Sequence, residues 1–385
     1  MSELRKYRLG EIIEVVGGGI PKTTEPKYWN GNIPWLSVVD FNKGKKFVYE
    51  TEKYISIEGL KNSSTKLLSK GDIIISARGT VGVVAVLGRE MAFNQSCYGI
   101  KPLSLVDKEY LYYLLVSCIQ KLKYNSHGGV FDTITRETFN TIDVLLPSLE
   151  EQKCIASILS SLDDKIDLLY RENKTLEAMA ETLFNKTLSE KENNGTIEQL
   201  ISIQNGYAFK SKDFQERGVN GVIKIKNISG GVIDINKTDC VGNDIIQGIS
   251  SKFKVHTGDI LIAMTGAEIG KLGIIPSTNK DLWLNQRVGM LVERYPGAKY
   301  IAYLQLRSDY GLDYVENTAT GSAQPNISSS AIENCAFPLL DVSEIKALAY
   351  QLEGLYEKII HNLGHINGLK LLRNELLLKL MNSQV

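Results

Sequence analysis

Several residue sets in this sequence have the types that chemistry needs but not the spacing. A phosphate loop reads G-x-x-x-x-G-K-[ST], because backbone N–H groups cradle phosphates while the hydroxyl holds magnesium. Gly266-Ala267-Glu268-Ile269-Gly270-Lys271-Leu272 is one residue short and lacks the hydroxyl. Asp143 with Glu151-Gln152-Lys153 has the outline of a nuclease carboxylate set. However, Ser148 and Glu151 fit a helix-capping box, in which each side chain bonds the other's free backbone N–H, and Asp143 reads as a strand-edge residue. His361 and His365 stand one helical turn apart, with no Cys or carboxylate at metal-ligand spacing. The five cysteines (Cys97, Cys118, Cys154, Cys240, Cys335) are scattered and form no CxxC motif. They read as free thiols of a reducing compartment. No Gly-rich dinucleotide turn follows a first strand, and no Asn/Asp-Pro-Pro-aromatic segment of an amino-methyltransferase occurs. The expectation is a chain that binds no metal and is not an enzyme.

The elements that would position any functional residue are written twice. Leu9-Gly10-Glu11-Ile12 through Lys22 aligns with 197–210 at a shift of 188, placing Ile12 on Leu200, Val15 on Ile203, Gly18 on Gly206 and Lys22 on Lys210. Gly71-Asp72-Ile73-Ile74-Ile75 answers Gly258-Asp259-Ile260-Leu261-Ile262 at 187, and Asn94-Gln95 answers Asn285-Gln286 at 191. Matches in one order with a slowly drifting shift mark a tandem duplication. Each half opens with short β-type runs. These include Trp35–Val39, Asp72–Ser76 and Gly82–Leu87 in the first, and Val222–Lys226 and Asp259–Ala263 in the second. Helical stretches follow over 109–124 and 298–308, then a Gly-containing loop and a last strand ending at Pro147 or Pro338.

Each half closes with a long helix, the first capped by Ser148 and Glu151, the second by Asp341 and Glu344. In the first, steps of four and three connect Ile155, Leu159, Leu162, Ile166, Leu169, Asn173, Leu176, Ala180 and Leu183. In the second they connect Leu348, Leu352, Leu355, Ile359, Asn362, Ile366, Leu369, Arg373, Leu376 and Leu380. A 3.5-residue step sustained this long predicts a coiled-coil seam, with Asp163, Asp164, Lys165 and Asp167 on its solvated faces. One antiparallel register sets Ile155 against Leu380, Leu159 against Leu376, Ile166 against Leu369, Leu169 against Ile366, Leu176 against Ile359, and Asn173 against Asn362. A buried Asn pair satisfies its own amides and penalises slipped registers. The predicted fold class is α+β: a tandem duplication with β-rich domains at 1–147 and 193–340, and long helices at 148–192 and 341–385.

Composition sets the outer bounds. The 385 residues hold 44 Lys+Arg and 44 Asp+Glu, so the chain has none of the cationic surplus of a histone-like protein. Residues 1–150 hold 19 basic and 16 acidic side chains, a surplus of three. No apolar run reaches the roughly 18 residues of a membrane span, and Met1-Ser2-Glu3-Leu4-Arg5-Lys6 does not read as a signal peptide. A cytoplasmic location with no membrane partner is expected.

These features together resemble the specificity subunits of type I restriction–modification systems. The resemblance spans essentially the whole chain. It is carried by Leu9-Gly10-Glu11-Ile12 with Gly17–Lys22, by Ile33-Pro34-Trp35-Leu36 with Asp40, and by Ser76-Ala77-Arg78-Gly79-Thr80-Val81-Gly82 with Asn94-Gln95. It continues through Leu145–Gln152 and Leu162-Asp163-Asp164-Lys165-Ile166. The second half departs from the pattern, with Thr265-Gly266-Ala267 where Arg78-Gly79-Thr80 stands in the first. The resemblance implies a non-catalytic reader of double-stranded DNA. Each globular domain would read one half of a split target, and the helices would form a spacer that sets the gap. Two methyltransferase subunits, which bind S-adenosylmethionine, and restriction-translocase subunits would be the partners. A coiled-coil adaptor that binds only proteins is the alternative.

Candidates for base readout are polar residues on the Gly-rich loops, where backbone can approach a groove and Arg, Lys, Asn or Gln can reach base edges. In the first domain these are Lys22, Thr23, Lys27, Arg78, Thr80, Ser126 and His127. In the second they are Tyr207, Lys210, Lys212, Lys271, Arg287, Ser322 and Gln324. Asn94-Gln95 and Asn285-Gln286 recur in both halves and read as loop-holding residues.

Overall fold

Ile73–Ser76 is apolar at three successive positions and buried along its whole length, as a strand covered on both faces must be. It lies at the centre of a five-stranded sheet in the computed structural model, which describes residues 4–124, 133–321 and 325–381. The chain divides into two compact units: residues up to 168 with those from 369 onward, and residues 169–368.

In the first unit, Ile73–Ser76 pairs antiparallel with Cys97–Pro102 on one side and Val84–Leu87 on the other. Ile13–Gly17 and Phe47–Val48 complete the edges. A second sheet runs Lys53–Ile55, Trp29–Leu36, Met91–Phe93, Leu67–Leu68, with Trp35 and Leu36 parallel to Ala92 and Phe93. The helix Lys108–Tyr124 lays Tyr110, Leu111, Leu114 and Leu115 into the same core as Ile73, Ile75 and Val86.

The second unit repeats this plan. Ile260–Ala263 lies between Val288–Glu293 and Leu272–Ile274, with Ile201–Asn205 beyond the former. In its other sheet Val222 and Ile223 run parallel to Trp283 and Leu284, as Trp35 and Leu36 run beside Ala92 and Phe93. The duplication read from a few short strings therefore extends to strand order and direction.

Two β-runs end earlier than the residue pattern suggests. The first strand stops at Leu36, and Val38–Phe41 is a helical turn. Buried Asp40 accepts the backbone N–H of Ser37 (2.7 Å), which turns the chain. Asn220–Ile223 likewise stops before Lys224, whose N–H donates to Asn227 Oδ1 (2.9 Å) at the start of the turn Ile225–Asn227. Alternating Lys and Ile had mimicked a half-buried strand, but a side-chain acceptor three residues on competes for the backbone.

The long helices are Leu149–Leu188 and Val342–Met381, 40 residues each, hence about 60 Å at 1.5 Å per residue. Ser148 Oγ accepts the Glu151 N–H (3.3 Å). At the second helix the box is reciprocal: Glu344 N–H donates to Asp341 Oδ1 (2.8 Å) and Asp341 N–H to Glu344 Oε2 (3.0 Å). Within the second unit, Asn362 Nδ2 donates to Asn173 Oδ1 (2.9 Å) and to Glu172 Oε2 (3.1 Å). Lys191 pairs with Glu344 at 2.5 Å, so along this stretch the two helices run in opposite directions.

Burial follows the seam at Ile155, Leu159, Ile166, Leu169, Leu348, Leu352, Ile359 and Ile366. Leu162, Leu176, Leu183, Leu355, Leu369, Leu376 and Leu380 are half-buried. Asp163 corrects the solvated-face reading. Its side chain is 2% exposed, and it accepts from Arg373 Nη1 and from the Tyr113 hydroxyl, both at 2.7 Å. Arg373 is the cation that the seam pattern left without a partner, and the neighbouring carboxylate turns inward to meet it. The helices are core elements as well as a seam. Tyr356 stacks on Tyr300 with ring centroids 4.5 Å apart and joins the core of the second unit.

Candidate nucleic-acid interface

Each unit gathers four loop segments by backbone hydrogen bonds, and three of these bonds correspond between the two. In the first, Gly19 N–H donates to the Phe93 carbonyl (3.0 Å), Ala77 to Ser96 (2.8 Å), and Ile134 to Ala77 (3.0 Å). In the second, Tyr207 donates to Leu284 (2.8 Å), Met264 to Arg287 (3.1 Å), and Ile327 to Met264 (3.0 Å).

The recurrent residues hold this frame. A Cβ on Gly18 would lie 2.1 Å from the Asn94 carbonyl oxygen, and one on Gly206 would lie 2.2 Å from that of Asn285. Only glycine lets these backbones pass. Asn94 Oδ1 accepts the Ser96 N–H (3.0 Å), and Asn285 Oδ1 the Arg287 N–H (3.5 Å). The asparagines are therefore turn-holding residues. Gln95 and Gln286, at the tips of the same turns, are exposed.

Arg78 and Thr80 lie exposed on the first frame, and Tyr207 and Arg287 lie exposed on the second. Gly79 between Arg78 and Thr80 has φ +76, a left-handed turn that needs glycine. Lys22 and Thr23 are exposed on the loop that leaves Gly19, and the Lys22 carbonyl accepts from Trp29 Nε1 (3.2 Å). Lys210 and Lys212 are exposed on the corresponding loop of the second unit. Tyr207 packs edge-on against Phe209 (5.0 Å) and Phe253 (5.5 Å), so its ring also anchors the loop.

Two candidate cations already hold carboxylates. Lys27 pairs with Glu58 (2.8 Å), and that hydrogen bond holds its ammonium above the ordinary lysine range. Lys271 pairs with Glu268. Ser126, His127, Ser322 and Gln324 lie outside the described residues.

The structure adds Arg136, which the motif reading passed over. It is exposed, and its Nη2 would lie 3.6 Å from a Cβ on Gly17 at the rim of the first frame. Its counterpart Ser329 donates through Oγ to Asn205 Oδ1 (2.9 Å) at the same place in the second unit. Aligning the short helices Arg136–Asn140 and Ser329–Glu333 would have found it.

Among the described residues no group of three or more His, Cys, Asp or Glu could hold a metal ion, and no helix is long and apolar enough to cross a membrane.

Two tandem domains of one topology, each with a frame of tied loops and each followed by a 40-residue helix, define the class of this protein. The model of the type I restriction modification DNA specificity domain matches residues 1–178 and again 189–369. The chain belongs to that family. It is 26% identical over 405 residues to the type I restriction enzyme MjaIX specificity subunit of Methanocaldococcus jannaschii, covering 97% of this chain and 91% of that one. It is 27% identical over 374 residues to the MjaVIII specificity subunit of the same organism, covering 90% and 85%. The fold is also that of the S subunit of a type I restriction–modification system from M. genitalium, at 15% identity and a TM-score of 0.60 over 99% of this chain and 96% of that one.

Proposed function

We propose that this chain is the non-catalytic DNA-recognition subunit of a type I restriction–modification complex. Each domain reads one half of a split, asymmetric duplex target. The paired helices act as an antiparallel coiled-coil spacer that sets the gap and docks two methyltransferase subunits. S-adenosylmethionine is bound by those partners, and restriction-translocase subunits join the complex for cleavage.

One observation carries this reading. The same backbone frame is built twice, yet the side chains it displays differ: Thr80 stands where the second unit has Ala267, and Gly19–Lys22 where it has Tyr207–Lys210. A repeated scaffold with divergent loops suits two readers of different bases, each good bidentate base contact being worth about 1–3 kcal/mol of discrimination. A protein-only adaptor would have no use for two such displays.

The small charge surplus assigns much of the phosphate grip to the partners. Purified chain is expected neither to methylate nor to cut DNA. Adding methyltransferase subunits should yield methylation at a two-part motif, mapped by methylation-aware sequencing. Methyl transfer by the chain alone, or a motif without a gap, would reject the proposal.

A further inference from the structure

The two frames differ in one orderly way. In the first, Arg78 stands on the loop after the central strand, and Ser96 stands opposite on the Asn94 turn. In the second these positions are Thr265 and Arg287. The two segments are joined in both units by a single type of bond, Ala77 N–H to the Ser96 carbonyl (2.8 Å) and Met264 N–H to the Arg287 carbonyl (3.1 Å). Arg78 N–H also donates to the Ser96 carbonyl (3.2 Å). An arginine thus flanks this particular bond in each frame, on one segment in the first unit and on the facing segment in the second. Beside it, the exposed glutamine at the tip of the turn, Gln95 or Gln286, has not changed. Neither guanidinium has an ion-pair or hydrogen-bond partner among the described residues.

We propose that Arg78 with Gln95, and Arg287 with Gln286, form equivalent anchors that each grip a backbone phosphate of the bound duplex. This inference rests on the reading of the chain as a DNA-recognition subunit. Residues kept where the surrounding loops diverge must meet something both half-sites share. Bases differ between half-sites, while phosphates do not. A phosphate also tolerates the relocation, because a flexible arginine can reach an anion from either segment, whereas bidentate pairing with a base edge fixes both origin and direction. These are positioning residues; base selection falls to the other exposed side chains of the loops.

The test uses the full chain in complex with methyltransferase subunits. A randomised duplex library is selected and sequenced, and affinity for the enriched duplex and for a scrambled one is measured across a salt series. Enrichment of a split motif by the unaltered complex is the check on the DNA-recognition reading, and its failure would sink that reading. For the anchors, Arg78→Ala and Arg287→Ala should each weaken binding to both duplexes alike, lower the salt slope by about one, and leave the motif unchanged. Gln95→Ala should weaken both duplexes without changing the slope. The double variant Arg78→Thr with Ser96→Arg, which copies the second unit's arrangement into the first, should recover most of the loss. Relaxed preference at one motif position would make the arginine a base reader and overturn the proposal. Unchanged affinity and slope, or a double variant as weak as Arg78→Ala, would overturn it equally.

Discussion

Cys154 is exposed on the first long helix, whereas Cys97, Cys118, Cys240 and Cys335 are buried. Burial pushes the Cys97 thiol up to about 12 and the Cys118 and Cys335 thiols up to about 11. Only thiolate reacts, so these groups should stay inert at neutral pH. A chromogenic thiol reagent should label one of the five cysteines rapidly in the native chain and all five in denaturant; fast labelling of two or more natively would contradict this packing. Paired cations at the candidate interface behave as structure too. Lys27 and Lys271 hold Glu58 and Glu268, and exposed pairs of this kind are screened by solvent and add little to stability. Their alanine variants should change duplex affinity less than Arg78→Ala does, measured side by side. At this scale the sequence was legible where backbone geometry demanded a residue type, as at Gly18 and Gly206. It was opaque where a charge kept its place in space but changed segment, as from Arg78 to Arg287. An alignment of the two halves sees only the loss of the first arginine.

The long helices show what periodicity does and does not encode. A 3.5-residue apolar repeat is local, so Ile155 to Ile366 could be read as a seam and the Asn173–Asn362 partnership anticipated. The Asp163–Arg373 pair was hidden, since a heptad template assigns Asp163 to solvent and its partner lies 210 positions away. That pair ends a buried chain in the first unit. Lys46 is held by Glu109 (2.9 Å) and ringed by Phe47, Tyr112 and Tyr113 at 4.9–5.1 Å, and the Tyr113 hydroxyl reaches Asp163. Asp163→Ala removes the carboxylate partner of a largely buried guanidinium and the acceptor of a buried hydroxyl, which typically costs about 3–5 kcal/mol. Urea unfolding should show a loss of that order, with Asp163→Asn milder because its single amide oxygen still accepts from one of the two partners. A loss below about 1 kcal/mol would show that the pair is solvated. Ile166 is 5% exposed, so Ile166→Asp, which buries a charge without a partner, should abolish folding or subunit assembly. Any folded remnant should keep its sequence preference, because no loop of either frame is touched.

At the scale of the whole chain, the duplication separates what is shared from what can differ. Strand order, parallel pairings and turn-holding glycines recur in both units, while the displayed loops do not. If readout resides in the loops and spacing in the helices, the two properties should be exchangeable independently. Replacing residues 1–147 with the matching domain of another family member leaves Leu149–Leu188, Val342–Met381 and the whole second frame in place. The join at Pro147 precedes the Ser148 cap, so the helix start keeps its side-chain acceptor. Asp163 must still meet a tyrosine in the position of Tyr113, and a donor domain lacking one leaves that carboxylate one acceptor bond short. A donor with that tyrosine should therefore be chosen, so that a folding failure is not mistaken for a failure of modularity. In cells carrying the chimera and methyltransferase subunits, methylation-aware sequencing should show one half of the motif changed to the donor's. The other half and the gap should remain those of the parent. A change in both halves would mean that the domains read jointly, and a changed gap with an intact half would mean that the domains, not the helices, set the spacing. Either result would defeat the division of labour that the duplicated frame implies.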